Sequence, residues 1–183
     1  PTTATMLASS DAFPGVDSSG KDAAIVGGAA LTPDGTTVLV GDTAAADLSN
    51  TPNRVAVVTV GATSLTPVTV LSPLEDPEAI VTSPFGNVAV ASRAFGNALF
   101  IIDQSAGTWR IRGEVAYMGG TKPQLPGDMV ELHRGALAGH VFVSENVAVR
   151  HLVFHATGEV EDLGILAFGD GLSEINGVIG VTP

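Results

Sequence analysis

Cysteine is absent from the 183 residues. That removes disulfide frameworks, thiolate metal sites and cysteine nucleophiles together. Aromatic residues make up only 5% against 45% hydrophobic, so Val and Ala must fill the core. Basic residues are scarce as well: Lys and Arg total 8 against 19 Asp and Glu, a formal net charge of −11. A surface this acidic repels phosphate backbones and anionic headgroups, which disfavours nucleic acid and membrane surfaces as partners. The longest apolar run, Ala23 to Leu31, is interrupted by Gly27 and Gly28. It falls short of the roughly 20 residues that span a bilayer. No Gly-x-Ser-x-Gly elbow, His-Glu-x-x-His, Walker loop or EF-hand loop occurs. The start, Pro1-Thr2-Thr3-Ala4-Thr5, has neither an initiator Met nor a basic leader, and reads as a processed or excised piece.

What is abundant is turn chemistry, with 22 Gly and 11 Pro, and it is spaced regularly. Gly27-Gly28-Ala29-Ala30-Leu31-Thr32-Pro33-Asp34-Gly35 returns as Pro77-Glu78-Ala79-Ile80-Val81-Thr82-Ser83-Pro84-Phe85-Gly86. It returns more loosely as Gly127-Asp128-Met129-Val130-Glu131-Leu132-His133-Arg134-Gly135, and begins again at Asn176-Gly177-Val178-Ile179. From Thr32-Pro33 to Thr182-Pro183 is 150 residues over three repeats, a mean period of 50. Within each repeat, Val-rich runs of four to eight residues alternate with Gly, Pro and Asn, the pattern of short strands. The expected strands are 25–31, 38–41, 54–60 and 66–71, then 79–82, 88–92, 98–103 and 109–115, then 129–132, 140–144, 150–155 and 160–167. No stretch holds a 3.6-residue apolar period long enough to predict a helix.

Four strands per repeat of this length is the arithmetic of an all-β fold, the β-propeller. A sandwich leaves the repeat unexplained. The sequence therefore predicts one propeller segment of three complete four-stranded blades, 25–74, 75–126 and 127–174, with partial terminal strands at 3–8 and 177–182. The innermost strands are read from their small residues, Ala29 and Ala30, then Ala79 beside Ile80, then Val178 and Gly180, because bulky side chains would crowd the axis where blades converge. Three blades leave open strand edges, which invite pairing. The expected partner is the remaining blades of a larger propeller, another protein, or a second copy of this chain.

Propeller sites form where blade loops meet at the channel mouth. The positions before the inner strands are Gly28, Glu78, Asp128 and Asn176. Two carboxylates and an amide carbonyl converging from different blades would suit a hard cation such as calcium, which could polarise a carbonyl and position water. These blade starts resemble those of gluconolactonase- and regucalcin-like propellers. The resemblance implies Glu78, Asp128 and Asn176 as metal ligands, with Asp128 also the general base of lactone hydrolysis. Similar starts occur in NHL-like and surface-layer-like propellers, which bind partners without catalysis. Glu, Asp, Asn is not that lactonase family's order, and Gly28 supplies no ligand.

His133, His140, His151 and His155 fall in one repeat. On a strand, His151 and His155 are about 13 Å apart, too far to share a metal, so all four read as structural or surface residues. Glu75-Asp76 and Glu159, Glu161 and Asp162 read as solvated acidic clusters, with weak surface calcium binding as the alternative. Trp109 and Tyr117 read as partner anchors, with inter-blade packing the equal alternative for Trp109. The sequence as a whole predicts a non-enzymatic, extracytoplasmic propeller that binds or scaffolds. The alternative is a metal-dependent lactone hydrolase.

Overall fold

The computed structural model describes residues 26–42, 54–74, 76–93, 96–104 and 106–166. The strands fall into three four-stranded antiparallel sheets, each a simple up-and-down meander. Blade 1 holds β1 (Val26–Leu31), β2 (Thr37–Asp42), β3 (Arg54–Val60) and β4 (Leu65–Leu71). Blade 2 holds β5 (Ile80–Thr82), β6 (Val88–Arg93), β7 (Ala98–Asp103) and β8 (Arg110–Glu114). Blade 3 holds β9 (Met129–Glu131), β10 (His140–Ser144), β11 (Val149–Phe154) and β12 (Val160–Leu166). Each expected strand within the described residues is present, its ends moved by at most one residue. The expected terminal strands 3–8 and 177–182 lie outside the described residues. Helical structure among the described residues is limited to the 3-10 turns Met118–Gly120 and Gly135–Leu137.

The first strands of successive sheets touch, β1 against β5 and β5 against β9. They line a common axis, while the fourth strands lie outermost in each sheet. Side chains of a strand alternate between faces, and in a blade both faces are covered. That is why β6, Val-Ala-Val-Ala-Ser-Arg, reads as an unbroken apolar run and is buried from Val88 through Ser92. Its larger residues, Val88 and Val90, join Leu99 and Ile101 against Val141, Val143, Leu152 and Phe154 of blade 3. Its smaller residues, Ala89 and Ala91, face blade 1 with Ile80, Ile102 and Trp109, against Leu39, Val55, Val57 and Leu71. Burying each such Val or Leu contributes about 1.5–3 kcal/mol. Trp109 is thus inter-blade packing.

Small residues are required where blades 1 and 2 meet at the axis. A Cβ at Gly28 would lie 2.6 Å from the backbone N of Ile80, and one at Gly41 would lie 2.5 Å from the carbonyl O of Pro77. The Thr82 hydroxyl adds a cross-blade bond, donating to the Leu31 carbonyl at 2.7 Å. Buried acids on the middle strands pair with arginines: Asp42 with Arg54 at 3.1 Å, and Asp103 with Arg110 at 3.2 Å and Arg112 at 3.3 Å. Among the described residues, no helix is long and apolar enough to cross a membrane.

Candidate functional site at the channel mouth

The segments that lead into β5 and β9 are set by matching backbone bonds. In blade 2, the Ser92 N–H donates to the Ala79 carbonyl at 2.9 Å, and the Ser92 hydroxyl accepts from the Ala79 N–H at 2.9 Å. In blade 3, the Ser144 N–H donates to the Asp128 carbonyl at 2.9 Å, and the Gly127 N–H to the Ser144 carbonyl at 3.0 Å. Asp128 therefore matches Ala79, and Gly127 matches Glu78. The two acids differ by one position in the repeat, where the sequence places them at equivalent heights. They are nonetheless neighbours. A Cβ at Gly127 would lie 4.0 Å from Oε2 of Glu78, so the Glu78 carboxylate reaches across to the segment that carries Asp128.

Burial pushes the Glu78 carboxyl above its ordinary range, and the negative charges of Asp76 and Asp128 push the same way. Asp76, expected to be solvated, is buried, with a left-handed backbone at φ 51°, and its carbonyl accepts from the Glu78 N–H at 2.9 Å. A raised carboxyl pKa means that ionisation opposes folding. The penalty is absent below the unfolded-state pKa and complete once pH exceeds the folded-state value. Glu78→Gln is therefore expected to raise the urea midpoint at neutral pH and to leave it unchanged below the carboxylate range. A variant with a lower midpoint at neutral pH would show that the charge is compensated by a partner.

Gly28 cannot carry a ligand, because its Cβ would meet the Ala79–Ile80 backbone. Asn176 lies outside the described residues. Among the described residues, no group of three or more His, Asp or Glu side chains is arranged to hold a metal ion. Of the three implied ligands, the structure brings Glu78 and Asp128 into one neighbourhood.

A second polar cluster escapes the sequence reading and corrects part of it. Arg150 on β11 is fully buried, with Nε 2.5 Å from Glu145 Oε1 and Nη1 2.5 Å from Asp162 Oδ2. Asp162, expected to be solvated, is buried because Arg150 neutralises it. The remaining atoms hold the loop between β8 and β9. Arg150 Nη2 donates to the Thr121 carbonyl, Glu145 accepts from the Gln124 N–H, and Asp162 accepts from the Met118 N–H, each at 3.0 Å. The Arg150 guanidinium also sits 5.4 Å from the Tyr117 ring centroid, and the Tyr117 hydroxyl accepts from the Leu99 N–H at 2.8 Å. Burial drives the Tyr117 hydroxyl pKa upward. Alternation on β11 is the signal that could have revealed this. Arg150 shares a face with Leu152 and Phe154, both core residues, so its side chain must enter the core and needs acids there.

The histidines divide among three settings. His140 Nδ1 and His151 Nε2 are 2.7 Å apart, and the His151 ring stacks on Phe142 at 4.8 Å. Burial, and then the neighbouring His140, lower the His151 pKa. His155 Nε2 meets Glu161 at 2.8 Å, and His133 Nδ1 meets Glu131 at 2.5 Å. His151 and His155 indeed keep separate partners.

No family model and no curated protein matches the chain. Solved structures do resemble it. The periplasmic gluconolactonase of Pseudomonas aeruginosa superposes with a TM-score of 0.54 and 18% identity over 79% of this chain and 43% of its own. The fold is a β-propeller. A candidate 6-phosphogluconolactonase from Bacteroides uniformis ATCC 8492 gives 0.54 with 11% identity, over 78% of this chain and 43% of its own. Hydrazine synthase of Kuenenia stuttgartiensis gives 0.52 with 18% identity, over 77% and 37%. The chain spans under half the length of these three structures, and at such identities the likeness is one of fold.

Proposed function

We propose that the chain is the three-bladed part of a non-enzymatic propeller that binds or scaffolds protein through its blade faces. One observation carries this reading. In blade 2, Val90 pairs with Val81 and Ile101, and these three face blade 3. In blade 3 the matching trio is Phe142, paired with Val130 and His151. It lies on the side away from blade 2 and is half-buried. That face has the shape and the aromatic stack of an inter-blade surface, so its natural occupant is the sheet of another blade, from a longer parent or from a second copy. A location outside the cytoplasm belongs to this reading, and the shared fold of the periplasmic Pseudomonas gluconolactonase is compatible with it. Light scattering tests the self-pairing form. The wild type should show a mass that rises with concentration, and Phe142→Lys should stay monomeric. A mass that Phe142→Lys does not alter would overturn pairing through this face.

The convergence of Glu78 on the Asp128 segment favours a second reading, a metal-dependent lactone hydrolase. In it, Glu78, Asp128 and Asn176 would hold calcium, with Asp128 also taking the proton from water. The calcium would polarise the lactone carbonyl. Calcium favours six to eight oxygens, so two carboxylates and one amide would need water or further blades to complete the shell.

A further inference from the structure

The up-and-down meander puts the β5–β6, β7–β8 and β11–β12 turns at the end of the channel opposite Glu78 and Asp128, which lead into β5 and β9. Between blades 2 and 3 these turns enclose a cleft of about 290 Å³. Phe85 forms an apolar wall. Its ring packs over blade 3, where an added Cβ at Gly139 would lie 2.6 Å from Phe85 Cε2, yet it stays 48% exposed. Asn87 and Gln104 line the cleft as a bonded amide pair, Nδ2 of Asn87 donating to Oε1 of Gln104 at 2.7 Å. The acids nearby already have basic partners: Asp103 lies beside Arg110 and Arg112, and Glu161 beside His155.

Arg112 on β8 bridges the two blades across this cleft. Its Nη1 donates to the Gly158 carbonyl of blade 3 at 3.0 Å and lies 3.3 Å from Asp103 Oδ2. Both contacts are made by Nη1. The other edge of the guanidinium, Nε with Nη2, meets no acceptor among the described residues. The side chain lines the cleft and is 34% exposed, so protein does not seal that edge. A guanidinium is charged at every working pH, and such an edge offers two parallel N–H bonds that match a carboxylate. A concave site with an apolar wall and one placed charge is the usual form of a small-molecule site. The net charge of −11 works against every anion and most against a doubly charged one, which favours a monocarboxylate over a phosphate.

We propose that this cleft binds a small organic monocarboxylate, its carboxylate on the Nε–Nη2 edge of Arg112 and its apolar body against Phe85. The site lies away from the channel mouth and is independent of whether the propeller scaffolds or hydrolyses.

The test follows the Arg112 Nε–Hε and Gly158 amide resonances of the full ¹⁵N-labelled chain by NMR, with benzoate, benzamide, acetate and inorganic phosphate as probes. Benzoate should shift both resonances saturably. Benzamide has the same shape without the charge and should bind roughly tenfold more weakly, the worth of one charge-assisted hydrogen bond. Acetate lacks the ring and should also bind more weakly, and phosphate should require more than benzoate does. Arg112→Lys keeps a cation beside Asp103 but loses the fork, so the Gly158 amide should report a much smaller preference for benzoate over benzamide. Phe85→Leu keeps an apolar side chain over Gly139 and loses the ring, so benzoate and benzamide should weaken together, severalfold, with the preference retained. The proposal is overturned if benzoate produces no saturable shift at these two resonances, or if benzoate and benzamide bind equally. Tighter binding of phosphate than of benzoate, or a benzoate preference undiminished in Arg112→Lys, would also overturn it.

Discussion

Replacing Arg150 by Met is expected to lower the free energy of unfolding by about 3–5 kcal/mol, the usual cost of removing one partner from a buried ion pair. Arg150 bridges Glu145 and Asp162, and all three are buried. Methionine keeps much of the volume and leaves two buried carboxylates facing each other. The loss should propagate, since the same two acids hold Gln124 and Met118 of the loop between β8 and β9. Lowering the pH into the carboxylate range should narrow the gap between variant and wild type, because protonation removes the repulsion. Urea unfolding at neutral and acid pH reads both effects. A variant within 1 kcal/mol of wild type at neutral pH would mean that water reaches the acids.

The second large effect belongs to Gly28. Its backbone is not in the left-handed region, so an alanine there meets only a steric problem. The added Cβ falls 2.6 Å from Ile80 N and 2.8 Å from Ala79 Cα. Backbone atoms cannot swing aside as a flexible side chain can, so the inner strands of blades 1 and 2 must separate. Overpacking costs about 1–3 kcal/mol when side chains can relax, and Gly28→Ala should reach the top of that range. Gly86→Ala is the control, because its Cβ would meet nothing within 4 Å. It should stay within about 0.5 kcal/mol of wild type. Equal midpoints for the two variants would show that the contact between β1 and β5 yields without cost.

The repeat made the blades legible. Turn residues recur every 50 positions, and Val-rich runs between them have few alternatives to strands, so the twelve strand positions follow from composition and spacing. Trp109, flanked by polar residues in sequence, already admitted an inter-blade role. What the chain does not display is which positions match across blades. Pro77-Glu78-Ala79 and Gly127-Asp128-Met129 align naturally as text, yet the bonds from Ser92 and Ser144 shift them by one residue. Long-range pairing is hidden in the same way. Asp162 reads as a surface acid until Arg150 is placed beside it from a neighbouring strand. Alternation alone puts Arg150 and Glu131 on core-facing sides, but alternation says nothing about their partners. The histidines illustrate the remaining limit: spacing along β11 separates His151 from His155, whereas the contact with His140 depends on register between strands.

The two functional readings part at the channel mouth. The scaffold reading treats Glu78 and Asp128 as surface acids that crowd each other, and the hydrolase reading treats them as ligands. Calcium titration by calorimetry on the full chain, beside the Glu78→Ala, Asp128→Ala double variant, tests this directly, with Asn176 present in both. The scaffold account predicts no stoichiometric heat in either protein. Stoichiometric calcium binding by the wild type that the double variant loses would contradict it and put the hydrolase first.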